Sequence, residues 1–338
     1  MRPGAAPALP WRDRDADEGY GGRASPDWRQ TDWARELKRV EVNGTPINYV
    51  DVDARGAPGG SPPASSGDQE PVVLVHGLGG QWQNWLENIP RLAQERRVLA
   101  LDLPGFGLTP EPSDGEISIT GYGRCVDAFC EKLGLGVVDM VGNSMGGFVA
   151  AEVAIQFPDR VSRLALVSAA GITSADALQA PILTIGRLAS VIATNTAARD
   201  RQLAARPITR HASLALVARH PRLLKPDLAY EGFFKGAGKG GFDAALRACL
   251  SYDFRDRLPD VKVPTLIVWG EKDSIIPVRD ADEFERLIED SRKVVMKDTG
   301  HIPMAERPQA FNDVLVDFLA ETGSAKKKEQ AEGESQAA

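Results

Sequence analysis

Gly142-Asn143-Ser144-Met145-Gly146 decides the reading of this chain, because the apolar run Val137-Val138-Asp139-Met140-Val141 leads into it and a helix-forming run, Phe148 to Phe157, leads out. A serine between two glycines on a sharp strand-to-helix turn is the pattern of a nucleophile elbow. Such a turn holds the serine in a strained backbone conformation, and bulk two places to either side would strike neighbouring backbone. It lifts the hydroxyl clear of the sheet. It also aims the first free N–H groups of the helix, Met145 foremost, at the place where negative charge develops in acyl transfer. A glycine-rich turn with an incidental serine would satisfy the same short pattern, so the remaining chemistry must fall in a matching order along the chain.

Upstream, Val72-Val73-Leu74-Val75 reads as a buried strand that ends in His76-Gly77-Leu78-Gly79-Gly80. A flexible turn there can present a second backbone N–H. Assigned to Leu78, it pairs with the Met145 amide as an oxyanion hole, in which losing one donor typically costs ~10²–10³ in turnover. His76 ends the strand and runs at once into the glycine turn, so its expected task is to hold that loop by hydrogen bonds.

A serine hydroxyl is a poor nucleophile near neutral pH and needs a base with a group to orient it. His211 and His220 lie in a basic, helical segment and read as solvated surface residues. His301 stands in Asp298-Thr299-Gly300-His301-Ile302-Pro303, after the strand-like Lys293-Val294-Val295-Met296, where its ring can swing over the carboxyl edge of a sheet. It is the expected base. For the orienting acid, Thr265-Leu266-Ile267-Val268-Trp269 gives an apolar strand, Gly270 a stop, and Asp273 a carboxylate on the loop beyond. Glu271 is the alternative, though so close to the glycine that its side chain is expected to face outward. Asp139 falls at the wrong edge of the sheet, and Asp102, in Asp102-Leu103-Pro104-Gly105-Phe106-Gly107, is expected to fasten a loop.

With these motifs in the order Ser144, Asp273, His301, the chain resembles serine hydrolases of the α/β-hydrolase fold, in the lipase- and esterase-like group with a helical cap. Phe157-Pro158-Asp159-Arg160-Val161 and Glu306-Arg307-Pro308 add to the likeness, which spans roughly residues 38–321. The resemblance implies a mostly parallel, eight-stranded sheet flanked by helices, with an inserted helical cap, and a triad at these three positions. It is a different chain order from that of trypsin-like or subtilisin-like proteases.

The whole-chain figures agree. With 338 residues the chain can bury a large core. A net charge of −7 and the lack of a Lys/Arg stripe argue against a nucleic-acid partner. Cys125, Cys130 and Cys249 have the spacing of neither a disulfide framework nor a zinc site and read as small buried residues, which favours a reducing, cytoplasmic setting. The longest apolar stretch, Pro181 to Ala193, is interrupted by Gly186 and Arg187 and falls short of the ~20 residues of a transmembrane helix. Residues 1–36, rich in Pro, Gly, Arg and Asp, and the polar tail 322–338 are expected to be disordered.

Between these ends, Val40 to Val50 alternates as a hairpin with its turn at Asn43-Gly44, and residues 54–70 read as a flexible insertion. Strands then alternate with helices, which implies parallel pairing and sites at the strands' carboxyl ends. The core is expected over 37–169 and 253–321. The long strand-free stretch 170–252 is expected to be the cap, which in the resembled group roofs the site and shapes the substrate pocket. Leu183 and Leu188 within it, and Trp82 after the oxyanion turn, are substrate-binding candidates, with packing the first expectation for Trp82.

These readings converge on hydrolysis of a small-molecule carboxylic ester with an apolar acyl or alcohol part, through an acyl-enzyme, with no metal or organic cofactor required. The nearest alternative is a carbon–carbon bond hydrolase of ring-cleavage products, a group similar to this chain at Gly142 to Gly147. Those enzymes commonly carry tryptophan directly after the histidine, where this chain has Ile302. A cofactor-free perhydrolase would use the same triad, and a non-catalytic small-molecule binder could occupy the same scaffold. Epoxide hydrolases and dehalogenases need a carboxylate where Ser144 stands.

Overall fold

The structure, a computed structural model, describes residues 19–53, 69–113, 117–173, 200–236 and 240–321. The hairpin opens the sheet: β1 (Leu37–Val42) and β2 (Thr45–Val52) pair antiparallel across Asn43 and Gly44, whose φ angles of 49° and 78° suit a tight turn between twisted strands. The β3 (Val72–Val75) and β4 (Val98–Leu101) strands follow, and then helix α1 (Ile119–Lys132), capped by the Ser118 hydroxyl, which accepts the Gly121 N–H at 3.0 Å.

Next come β5 (Val138–Asn143), α2 (Met145–Gln156) and β6 (Val161–Val167). Helices α3 (Pro207–Leu214) and α4 (Phe242–Ser251) lie in the segment between β6 and β7 (Thr265–Gly270). The chain then closes with α5 (Arg279–Leu287), β8 (Ser291–Met296) and α6 (Pro308–Ala320).

The strand order of the eight-stranded sheet is β1-β2-β4-β3-β5-β6-β7-β8, parallel from β4 to β8 with only the β1 and β2 pairings antiparallel. Period-two alternation divides the central strands between two apolar layers. Val73, Val75, Met140, Leu164, Leu166, Ile267 and Trp269 face the layer that holds α1 and α2. Val72, Leu74, Val141, Ala165, Val167, Leu266 and Val268 face the layer of Trp85, Phe311 and Leu315. Truncating a leucine in either layer to alanine would cost about 2–5 kcal/mol.

One expectation needs correction. Residues 19–36 are packed: Tyr20 and Trp28 are each 7% exposed, and the Trp28 indole N–H donates to the buried Glu87 at 3.1 Å. Composition averages hide this, because two aromatic side chains with polar tips can seat a polar segment without any apolar run. The remaining residues 1–18, the insertion at 54–68 and the tail 322–338 lie outside the described residues, as do residues 174–199 of the expected cap. No helix among the described residues is long and apolar enough to cross a membrane.

Candidate active site

Ser144 sits between β5 and α2 with φ 56° and ψ −120°, a conformation that non-glycine residues rarely adopt. The strain is held by its surroundings. The Ser144 N–H donates to the Val167 carbonyl at 2.9 Å, and its own carbonyl accepts the N–H groups of Gly147, Phe148 and Ala170 at 3.0–3.1 Å. A side chain on Gly142 would collide with the Gly146 carbonyl, and one on Gly146 with the carbonyls of Val75 and His76. Both flanking glycines are therefore steric requirements of this turn.

Beside it runs the loop after β3. A Cβ added to Gly77 would stand 3.1 Å from the Ser144 Cβ, so the turn that leads into Leu78 runs against the serine. Met145 opens α2, in the first turn whose N–H groups have no acceptor within the helix. His76 is fully buried and does what a loop fastener would: its Nδ1 is 2.7 Å from the Gly77 carbonyl, and its Nε2 accepts the Leu103 N–H at 3.0 Å. Burial pushes its pKa down. Asp102 ties three segments, accepting from the Trp82 N–H at 2.8 Å, the Asn48 amide at 2.8 Å and the Leu108 N–H at 2.9 Å.

At the far side of the edge, His301 and Asp273 meet. The His301 Nδ1 is 2.8 Å from Asp273 Oδ2, with side-chain exposures of 5% and 0%. Asp273 Oδ1 accepts the Ile275 and Ile276 N–H groups, both at 2.9 Å, so the carboxylate cannot swing away from the ring. Glu271 is exposed and points elsewhere, to the Asp298 N–H at 3.0 Å, a bond that lowers its pKa. The two halves of the site are joined by Asn143, whose side-chain amide donates to the His301 carbonyl at 3.2 Å and the Val167 carbonyl at 3.0 Å. That role of Asn143 was invisible in the motif, where only the glycines and serine carry a steric reading.

The segment between β6 and β7 lies against the same edge. The Val217 carbonyl accepts the His301 N–H at 2.8 Å, the Gln81 and Asn84 amides reach the Glu231 and Gly232 carbonyls at 2.9 and 2.7 Å, and Phe242 packs beside Gly79.

Two histidines depart from expectation. His220 is 6% exposed, with Nε2 2.8 Å from Asp298 Oδ2, and His211 is half-buried. His211 lies on α3 and His220 on a bend beyond it, both turned partly or wholly inward, which a basic composition conceals. Burial opposes ionisation of Asp298, yet hydrogen bonds from His220 and Arg219 hold its carboxyl below the usual range. Trp82 is 5% exposed and packs on Trp33 at a centroid distance of 5.0 Å, a structural role. Leu183 and Leu188 lie outside the described residues. Cys130 and Cys249 are buried, their thiols pushed up to about 12 by burial.

A family model described as alpha/beta hydrolase fold matches residues 70–308. The chain is 31% identical over 264 residues to 2-hydroxy-6-oxo-2,4-heptadienoate hydrolase of Pseudomonas putida, covering 75% of this chain and 90% of that one. To the pimeloyl-(acyl-carrier protein) methyl ester esterase of Neisseria meningitidis it is 31% identical over 256 residues, 73% and 76% of the two chains. Among solved structures, a serine hydrolase involved in carbazole degradation superposes with a TM-score of 0.60 at 25% identity, over 84% of this chain and 99% of that one. A heptadienoate hydrolase and a methyl ester esterase thus stand at similar distance, and the strand order, the strained elbow and the family match lead to one conclusion: the chain belongs to the alpha/beta hydrolase fold family.

Proposed function

We propose that the protein is a serine hydrolase of carboxylic esters with an apolar acyl or alcohol part. The observation that carries this reading is the Asp273–His301 pair at 2.8 Å, with side chains 0% and 5% exposed and with the His301 carbonyl hydrogen-bonded to the residue before Ser144. In this mechanism His301 takes the proton of Ser144 as its oxygen attacks the ester carbonyl, and Asp273 stabilises the resulting imidazolium. The amides of Leu78 and Met145 donate to the oxyanion. His301 returns the proton to the leaving alcohol. Water activated by the same ring then attacks the acyl-enzyme and releases the acid and Ser144. These steps need no cofactor. A cytoplasmic setting belongs to the same proposal and is checked by cell fractionation.

The segment 170–252 is proposed to shape the acyl or alcohol pocket, since its described part already meets the loops after β3 and β8. An apolar pocket discriminates by about 1–3 kcal/mol per methylene, so a broad chain-length optimum is expected. Enlarging Leu183 or Leu188 to phenylalanine should move that optimum. An unchanged profile across both variants would transfer selectivity to the core loops.

Turnover of a p-nitrophenyl ester series by wild type and Ser144→Ala tests the proposal. Activity that disappears with Ser144 supports it; a protein that binds esters without turning them over is a binder on this scaffold. A second reading, hydrolysis of a carbon–carbon bond, is favoured by the Pseudomonas putida relative. Faster consumption of a 2-hydroxy-6-oxo-dienoate than of any ester would select it. Perhydrolysis is read in the same assay with peroxide added.

A further inference from the structure

Five residues beyond His301, Glu306 is fully buried at the end of the turn Pro303–Glu306. Its carboxylate accepts the Gly300 N–H at 2.9 Å and the Ile302 N–H at 3.2 Å, the two amides that flank His301. The oxygen that binds Gly300 also receives the Arg219 N–H at 2.8 Å and the Tyr20 hydroxyl at 2.5 Å. Tyr20 in turn accepts the His220 N–H at 2.7 Å, and the next residue, Gly21, donates its N–H to the Glu306 carbonyl at 2.7 Å.

Packing tightens the same junction. The Tyr20 ring meets the His220 ring edge-on at 4.9 Å, and the Arg307 guanidinium lies 5.4 Å from its centre. Gly21 has φ +63°, and a Cβ there would strike the Leu223 carbonyl. Farther along, the Ala24 N–H and the Trp28 indole reach Glu87 at 2.8 and 3.1 Å, while Arg23 and Arg29 pair with Asp227. The strap itself, residues 19–30, lies before the stretch 70–308 that the family model matches, and these partners lie within it. Burying two aromatic rings would explain the packing of this segment. It would not call for a buried carboxylate that grips both amides around one histidine.

We propose that Tyr20 and Glu306 are positioning residues for His301, with residues 19–30 acting as a strap that clamps the histidine loop to the segment above it. The inference rests on the reading of His301 as the catalytic base. Asp273 fixes the ring at Nδ1, but the aim of Nε2 also depends on the backbone that carries the ring, and misplacement by 1 Å can cost about 10² in rate. Glu306 fixes that backbone. Burial pushes its carboxyl above the ordinary carboxylate value, opposed by the Tyr20 hydroxyl and the backbone donors. Removing the hydroxyl leaves the carboxylate short of a donor and the His220 N–H short of an acceptor, which loosens the grip on Gly300 and Ile302.

The test uses the full-length chain and Tyr20→Phe, which keeps the ring packing and loses only the hydroxyl. Gly21→Val, which pries the strap off Leu223, and Glu306→Gln are made beside it. Turnover of a short p-nitrophenyl ester is read together with the imidazole N–H signal of His301 in histidine-labelled protein, assigned by its loss in His301→Ala. The expected result for Tyr20→Phe is a fall in kcat of about tenfold with KM within about twofold, and a His301 N–H signal broadened by exchange with water. Gly21→Val should reproduce both effects, even if Glu306→Gln fails to fold. A His301 signal as sharp as in wild type, whatever the loss of thermal stability, would overturn the proposal and leave the strap a packing device. Should His301→Ala keep full turnover, the hydrolase reading falls separately, and the N–H signal still decides whether Tyr20 fixes the ring.

Discussion

Buried carboxylates at the two ends of the sheet are treated differently. At the amino end, Asp139 is fully buried between guanidiniums, 2.8 Å from Arg96 and 3.3 Å from Arg163. At the carboxyl end, Asp273 is held by two backbone N–H groups and His301, Glu306 by three backbone N–H groups and a tyrosine, and Glu87 by a backbone N–H and an indole. Fixed cations make the first end a strut. At the second, the neutral backbone donors fix Asp273 against the one partner that can gain a proton, the His301 imidazole. Backbone strain follows the same division: Ser144, Ser168 and Asp298, with φ of 56°, 44° and 48°, all stand past the carboxyl ends of strands.

The largest expected effects separate chemistry from stability at the carboxyl end. Ser144→Ala should lower ester turnover by about 10⁶ while leaving the urea midpoint unchanged, because the loss of one hydroxyl opens no core cavity. A serine-directed phosphonate should label the wild type alone. Labelling elsewhere, or turnover retained, would remove the proposed nucleophile. Asp273→Asn comes next, with a fall of about 10⁴, since a neutral partner can hold the wrong tautomer and does not stabilise the imidazolium. Glu271→Gln should leave turnover near wild type. Reversed effects would move the orienting role to Glu271 and break the contrast drawn for Asp273.

Asp139→Ala should do the opposite. It strands the guanidiniums of Arg96 and Arg163, whose side chains are 3% and 14% exposed, and should cost about 3–5 kcal/mol in denaturant unfolding. Turnover of the folded fraction should stay at the wild-type level. If kcat fell with the midpoint, the two ends of the sheet would not be separable.

The parts of this arrangement that were legible in the sequence are those set by local or periodic physics. The alternation of strands and helices, the glycine-flanked serine, and carboxylate and histidine beyond apolar strands all leave short-range patterns. The structure brings Asp273 and His301 together where those patterns pointed. The buried state of His220 and the packing of Tyr20 leave none. Tyr20 bonds to Glu306 across 286 positions and His220 to Asp298 across 78, and each partner alone is an ordinary polar residue. Asn143 is a similar case: its amide joins two loops only after the sheet has brought their carbonyls into reach.

The smallest expected effect tests whether neutral donors are enough to keep a carboxylate charged. Burial pushes the Glu87 carboxyl up to about 7, from an ordinary value of 4.5. Between those two pH values the folded chain binds more protons at this site than the unfolded chain does. Stability contributed by Glu87 is therefore fully present below about pH 4.5, falls as the pH rises toward about 7, and levels off above it, a total of at most about 3 kcal/mol. Glu87→Gln cannot ionise. It keeps one acceptor for the Ala24 N–H or the Trp28 indole and leaves the other unmet, so it should be less stable than wild type by about 1 kcal/mol near pH 5. Its stability should then decline less between about pH 5 and about pH 8, and the two curves should converge or cross. Urea unfolding across that range reads both. Curves that ran parallel would mean that Glu87 stays charged on two neutral donors throughout, held more firmly than Asp139, whose carboxyl burial pushes up to about 6 against two guanidiniums.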